Sequence, residues 1–194
     1  MEKLAGLKKV KTAVFISGTG SNLKSLIKFS KNKKSPISIN LIISNSKNAK
    51  GLKYAYQFKI KKKILDFNLN KIAEGKILSN LKKNKINFIC LAGFMKVLSA
   101  DFIAKFDGTI INIHPSLLPK YKGLNTHEKA IKNKDKFSGC TVHYVTKKLD
   151  SGKVILQKKV KIGNAETPIS LAKKVLRQEH KLYPAAISKI FANL

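Results

Sequence analysis

The sequence predicts an α/β protein: a mostly parallel, twisted sheet flanked by helices, Rossmann-like in arrangement, with an antiparallel strand addition towards the C-terminus and a long final helix. Three observations predict it. Apolar runs of strand length alternate with segments whose apolar residues recur at helical spacing. A glycine-rich turn, Gly18-Thr19-Gly20, joins the first such pair. The hydrophobic content of 43% is enough for a core, yet no apolar run reaches the length of a membrane span.

Thr12 to Ser17 reads as a buried strand, and Asn22 to Lys34 has the period of a helix. Ile37 to Ser44 and Ala49 to Lys59 repeat the pair. A short strand near Lys62 to Phe67 precedes a helix from about Lys71 to Lys85. Asn87 to Ala92 and Thr109 to Ile113 are apolar strands with Ser99 to Phe106 helical between them, so βαβ units around a parallel sheet are expected. Beyond this point the character changes. Thr126 to Asn133 reads as a short helix, while Gly139 to Val145 and Lys153 to Lys161 alternate like strands about the turn Asp150-Ser151-Gly152. Thr167 is placed to cap a long amphipathic helix with Pro168 in its first turn, and a bend is expected near Pro184. No linker, repeat or low-complexity segment divides the 194 residues, so a single domain is expected over 1–194.

The net charge of +30 points first to polyanions. Two facts oppose nucleic acid as a specific partner. Arg177 is the only arginine, whereas bidentate phosphate and base recognition favours that residue. The lysines are also spread over every expected helix and loop, with no aromatic-interleaved stripe. Weak, salt-sensitive adhesion to polyanions is expected, and no membrane partner. The two cysteines give neither a disulfide framework nor a metal spacing. Met1 to Lys11 is Lys-rich without an apolar core, so it does not read as a secretory signal. A cytoplasmic protein with no bound metal is expected, as a monomer or homodimer.

Two stretches carry chemistry. In Gly18-Thr19-Gly20-Ser21-Asn22, amides at a helix start, joined by the Ser and Asn side chains, form an anion cradle. A dinucleotide fingerprint would need glycine where Leu23 stands and an acid near Ser44-Asn45-Ser46, and no Gly-Lys-Ser/Thr of a Walker loop follows. A phosphomonoester fits best. In Ile111-Asn112-Ile113-His114-Pro115-Ser116-Leu117-Leu118-Pro119, an apolar run delivers an amide and an imidazole at a strand end that the prolines terminate. Asn112 can donate to a developing oxyanion, His114 can supply a proton, and a carboxylate can hold the imidazole charged and raise its pKa. Spacing does not say which of His114, His127, His143 and His180 meets Asp150; His114 is preferred for its position, and His143 reads equally as a packed strand residue. Ser116 has no Gly-x-Ser-x-Gly elbow and does not read as a nucleophile.

These motifs resemble the folate-dependent formyltransferases, over Thr12 to about Ile190, and especially the branch acting on glycinamide ribonucleotide. Asn112-x-His114-Pro-Ser-Leu-Leu-Pro with Asp150 resembles the family's catalytic set. Gly20-Ser21-Asn22-Leu23 resembles its phosphate loop, which implies that Gly20, Ser21 and Asn22 hold the ribonucleotide phosphate. Leu91-Ala92-Gly93-Phe94-Met95-Lys96-Val97-Leu98 resembles the pterin-lining segment, implying folate contacts from Met95, Lys96, Val97 and Leu98 as well as Asn112. Lys96 stands where an arginine is common, and Lys71 where the family tends to have an arginine for the folate glutamate. Gln178-Glu179-His180 implies a ribose and amide contact from Glu179. The resemblance implies formyl transfer from 10-formyltetrahydrofolate to glycinamide ribonucleotide in purine synthesis, without a metal. Its phosphate-binding half would fall at about 12–100, its folate-binding and catalytic half at about 101–194. The alternatives are a formyltetrahydrofolate hydrolase, expected to carry an extra N-terminal domain, a methionyl-tRNA formyltransferase, expected to carry a C-terminal RNA-binding domain, and a non-enzymatic polyanion-binding protein.

Overall fold

The computed structural model describes residues 9–65 and 70–192, except the side chains of Asn70 and Lys71. A seven-stranded sheet has the order β3-β2-β1-β4-β5-β6-β7. Its strands are β1 (Val10–Ile16), β2 (Ile37–Ser44), β3 (Lys61–Ile64), β4 (Phe88–Leu91), β5 (Thr109–His114), β6 (Phe137–Tyr144) and β7 (Val154–Lys161). The first five are parallel, and β6 and β7 add antiparallel to β5 and to each other. The chain moves outward from β1 to β3, then returns to the other side of β1 with β4. This makes a switch point at the carboxyl ends of β1 and β4, where ligands of such sheets bind.

Helices cover both faces. On one face Leu23, Leu26 and Ile27 of α1 (Ser21–Ser30) pack with Leu171, Val175, Tyr183 and Ile187 of α6 (Pro168–Phe191). On the other, Ile77 and Leu81 of α3 (Asn70–Lys83) pack with Phe102 of α4 (Ala100–Lys105). Strand alternation sorts the two cores, since Val14 and Ile16 face the first and Ala13 and Phe15 the second.

Several elements are shorter than their periodicity predicted. The first helix stops at Ser30, short of Lys34, because Asn32 and Ser35 turn the chain towards Pro36 through amide bonds to Phe29 and Asn32. The expected second helix splits into a 3-10 turn at Lys50–Leu52 and α2 (Lys53–Gln57). The tight segment lies where Gly51 crosses Gly20, and a Cβ on Gly20 would stand 2.6 Å from the Gly51 Cα. Strand β3 ends at Ile64; the expected part at 66–67 lies outside the described residues. Helix α3 ends two residues early, with Lys85 in a left-handed conformation (φ 54°) that lets Ile86 N–H close on the Leu81 carbonyl.

Helix α6 begins as expected. Thr167 Oγ1 accepts from Ser170 N at 3.2 Å while Ser170 Oγ accepts from Thr167 N at 3.0 Å, a reciprocal cap of about 1 kcal/mol. It continues through Pro184 to Phe191 as one helix. Proline lacks the N–H that would bond the carbonyl four residues back, and that carbonyl, of His180, instead accepts the Ser25 hydroxyl of α1 at 2.8 Å.

Candidate active site

Strand β5 ends at the switch-point edge with Asn112 and His114, and β6 runs beside it in the register Asn112↔His143. The loop after β6 returns to this edge. It is able to do so because Gly152 passes against Tyr144, whose carbonyl oxygen would lie 1.8 Å from any Cβ there. The return brings Asp150, itself left-handed at φ 44°, over both imidazoles. His114 Nδ1 lies 3.4 Å from Asp150 Oδ2 and His143 Nε2 3.6 Å from Oδ1. Gly123 N–H also donates to Oδ2 at 2.9 Å.

These contacts set the protonation states. Burial pushes the Asp150 carboxyl up, but the neighbouring His143 ring, the Gly123 amide and the His114 ring outweigh it and hold the group below the ordinary carboxylate value. His114 moves opposite to the sequence expectation. Asp150 does pull it upward, as does the bond to the Tyr121 carbonyl, but burial is the largest influence and leaves it below the ordinary value of 6.5. Its two nitrogens are nevertheless both set against acceptors, Nε2 donating to Tyr121 O at 2.8 Å and Nδ1 facing Asp150. The neutral ring therefore keeps its hydrogen on Nε2 and has a prepared place for a second on Nδ1.

Asn112 uses one Nδ2 hydrogen on His143 Nε2 at 3.2 Å, and His143 Nδ1 donates to the Tyr144 carbonyl at 2.9 Å. One amide hydrogen of Asn112 remains for the pocket. The sequence leaves the place of His143 open. Its place beside Asn112 and Asp150 follows from strand register, and the alternation of β6 is the sequence signal for it. Ser116 is buried, with its hydroxyl donating to Lys120 O at 2.6 Å, so its setting is a turn and not a nucleophile.

The glycine-rich loop joins the same pocket, a cavity of about 910 Å³ lined by Gly18 to Asn22, Asn112, His114, His143, Asp150 and Glu179 among others. Gly20 caps α1 at φ 72° without a side-chain cap bond, and the first turn holds no acid, so α1 presents uncapped amides to an anion. The Asn22 side chain does not join this cradle as expected. Its Nδ2 donates to Glu179 Oε2 at 2.6 Å, and it is buried between the two helices. Glu179 lies in the pocket wall; burial pushes its carboxyl above the ordinary value despite the Asn22 bond.

The segment after β4 supplies a further part of the lining, tied to Ser17 by the Met95 amide at 2.7 Å. Met95 and Val97 are exposed, Lys96 lies between them, and Leu98 is buried in the α3–α4 core while still facing the cavity. Leu91, Ile103 and Val145 extend this apolar end. The Lys71 side chain lies outside the described residues. Among the described residues no group of three or more His, Cys, Asp or Glu is arranged to hold a metal, and no helix is long and apolar enough to cross a membrane.

Known proteins resemble this chain in sequence and in fold. Residues 10–187 match the formyl transferase family. The chain is 39% identical over 178 residues to phosphoribosylglycinamide formyltransferase of Escherichia coli, covering 90% of this chain and 84% of that protein. It is 40% identical over 186 residues to the human trifunctional purine biosynthetic protein adenosine-3, covering 94% of this chain and 18% of that protein. The chain thus spans less than a fifth of the length of the first curated relatives it matches. The crystal structure of phosphoribosylglycinamide formyltransferase from Brucella melitensis superimposes with a TM-score of 0.89 at 39% identity, over 95% of this chain and 96% of that one.

Proposed function

The chain belongs to the formyl transferase family, and from that premise we propose that it transfers the formyl group of 10-formyltetrahydrofolate to the primary amine of glycinamide ribonucleotide, giving N-formylglycinamide ribonucleotide and tetrahydrofolate in purine (IMP) synthesis. The observation that carries the reading is the convergence of Asn112, His114 and Asp150 in one pocket with the uncapped start of α1. A phosphomonoester at Gly20 and Ser21 is held by backbone amides of that loop, with Asn22 contributing its main chain, and Glu179 receives the sugar. The apolar end, at Met95 to Leu98 with Ile103 and Val145, suits a flat heteroaromatic ring. The division of labour is then phosphate binding at about 12–100 and catalysis at about 101–194, with Glu179 reaching back to the first part.

The amine attacks the formyl carbon, and negative charge grows on the formyl oxygen. The free Asn112 hydrogen meets it, a donor worth about 3–4 kcal/mol when preorganised in this way. As the new C–N bond forms, the amine must lose a proton. His114 is suited to take it on Nδ1, because burial keeps the ring neutral at pH 7 and Nε2 is tied to Tyr121. The resulting imidazolium has a carbonyl and a carboxylate as its two acceptors, and Asp150 stabilises it. The proton then passes to the folate nitrogen as its bond to the formyl carbon breaks. The protein's part is orientation, charge stabilisation and movement of one proton.

The test is release of tetrahydrofolate from 10-formyltetrahydrofolate, followed spectrophotometrically with and without glycinamide ribonucleotide. Turnover only with the ribonucleotide is expected. Release without it would mean hydrolysis, and no release would overturn the assignment.

A further inference from the structure

His127 is an imidazole of the pocket that the mechanism above does not use. It is the second residue of α5 (Thr126–Lys132), and the hydroxyl of Thr126 beside it donates to the Pro115 carbonyl at 2.8 Å. That bond fastens the start of α5 to the end of the catalytic strand. His127 lines the catalytic cavity and is near enough to His114 for the two rings to interact electrostatically. Its Nδ1 is buried without a hydrogen-bond partner, whereas Nε2 is not sealed in this way. Buried polar atoms without partners are few in native proteins, and each asks for a reason.

The tautomer supplies one. Burial, with the charge of His114 adding to it, holds His127 below the ordinary histidine value, so the ring is neutral at pH 7 and carries a single N–H. A hydrogen on Nδ1 would be an orphaned buried donor. A hydrogen on Nε2 leaves only a lone pair unmatched, which is the more tolerable of the two. The ring therefore offers one neutral N–H on its open edge, towards the pocket.

We propose that His127 is a substrate-binding donor whose Nε2–H bonds the glycinamide carbonyl oxygen of the ribonucleotide, next to the attacking amine. The inference rests on the transfer reading above. Two placements select this ligand atom. Helix α5 packs on α6, which carries Glu179, so His127 belongs to the ribonucleotide's side of the cavity. Its proximity to His114 puts it at the reacting end. A neutral donor also matches a neutral carbonyl. The bond would fix the amide plane and so aim the amine.

His127→Gln keeps an amide nitrogen near the position of Nε2, whereas His127→Asn moves it near that of Nδ1. With the full chain and both substrates, His127→Asn is expected to raise KM for the ribonucleotide about tenfold, equivalent to about 1.4 kcal/mol. His127→Gln should stay within about threefold of the parent, and KM for the formyl donor should not move in either. Equal losses in the two variants, no loss in the Asn variant, or a loss on the donor side would overturn the proposal. Should either variant lose its circular dichroism spectrum, the parent protein decides: a ribonucleotide analogue with a methylene in place of the amide carbonyl should bind about tenfold more weakly by calorimetry, and equal binding would overturn the proposal. A parent that turns over without the ribonucleotide, or not at all, refutes the transfer reading and this inference with it. A parent that transfers normally leaves only the His127 role exposed to the variants.

Discussion

The two ends of the pocket are built by different means. At the start of α1 the groups open to a ligand are main-chain amides, exposed by a left-handed Gly20 with no side-chain cap. At the end of β5 the chemistry sits in side chains, each held by a specific partner: Asn112 by His143, His114 by Tyr121, Asp150 by Gly123. A backbone site depends on chain geometry and tolerates changes of side chain. A side-chain site depends on identity, and a single atom exchanged there alters proton bookkeeping.

The largest effect should come from the side-chain end. His114→Ala is expected to lower kcat about 10³-fold with little change in either KM, as removal of a general acid–base group does, measured at saturating substrates. Asn112→Ala should follow with a loss of kcat on the order of 10²-fold from the missing oxyanion donor. Equal effects on KM and kcat in either variant would erase the distinction between the two ends. At the backbone end, Gly20→Ala forces a Cβ to within 2.6 Å of Gly51 at a positive φ; about 1–3 kcal/mol of stability and most of the phosphate affinity should go, read by denaturant melts and KM for the ribonucleotide. Ser21→Ala leaves the main chain in place, and only a few-fold rise in that KM is expected. A loss as large as that of Gly20→Ala would show that the cradle relies on its hydroxyl.

The pH dependence sharpens the same contrast. His114 is held below 6.5 in the folded protein, so kcat/KM should rise with pH through an apparent pKa below that value, and Asp150→Asn, which removes an upward pull, should move it lower still. For stability, a depressed histidine means that the unfolded chain takes up the proton first as pH falls through about 6.5; stability is lost from there down to the folded value. Asp150, also depressed, adds a further loss below the carboxylate range, where the native state must finally be protonated. Glu179 has the opposite sign. Its carboxyl is raised, so its contribution is favourable below the ordinary glutamate value and is lost as pH rises through the folded one. Glu179→Gln is therefore expected to raise Tm at pH 7 while weakening ribonucleotide binding, and a lowered Tm would contradict the burial cost.

The parallel part of the sheet was legible because its strands are continuous apolar runs, such as Ile37 to Ser44, which matches β2 to the residue. Helix ends were less so, since they are decided by contacts such as Gly20 against Gly51 that no local pattern records. The Asn112–His114 motif announced itself by its position after a buried strand. His143 did not, because its partnership depends on the β5–β6 register, and an alternating strand reads the same whichever face meets a carboxylate. Asn22 stands in the glycine-rich loop, but its side-chain direction is fixed by Glu179, 157 residues away. The His114 shift was missed because proximity to Asp150 is visible in a motif and the depth of burial is not.

Pro184 has a mechanical consequence. By lacking an N–H it makes a carbonyl of α6 available to α1, and Ser25 takes it, converting an internal rung of one helix into a strut between two. The strut attaches at His180, one residue from Glu179, and three residues from Asn22 on the other helix. A second tie, Asn22 to Glu179, lies alongside it. Two ties so close together resist sliding of one helix along the other as well as rotation about either contact. The distance from the Glu179 carboxylate to the main-chain amides at the start of α1 is thereby set like the gap of a fixed caliper, and a ligand that engages both must match that gap.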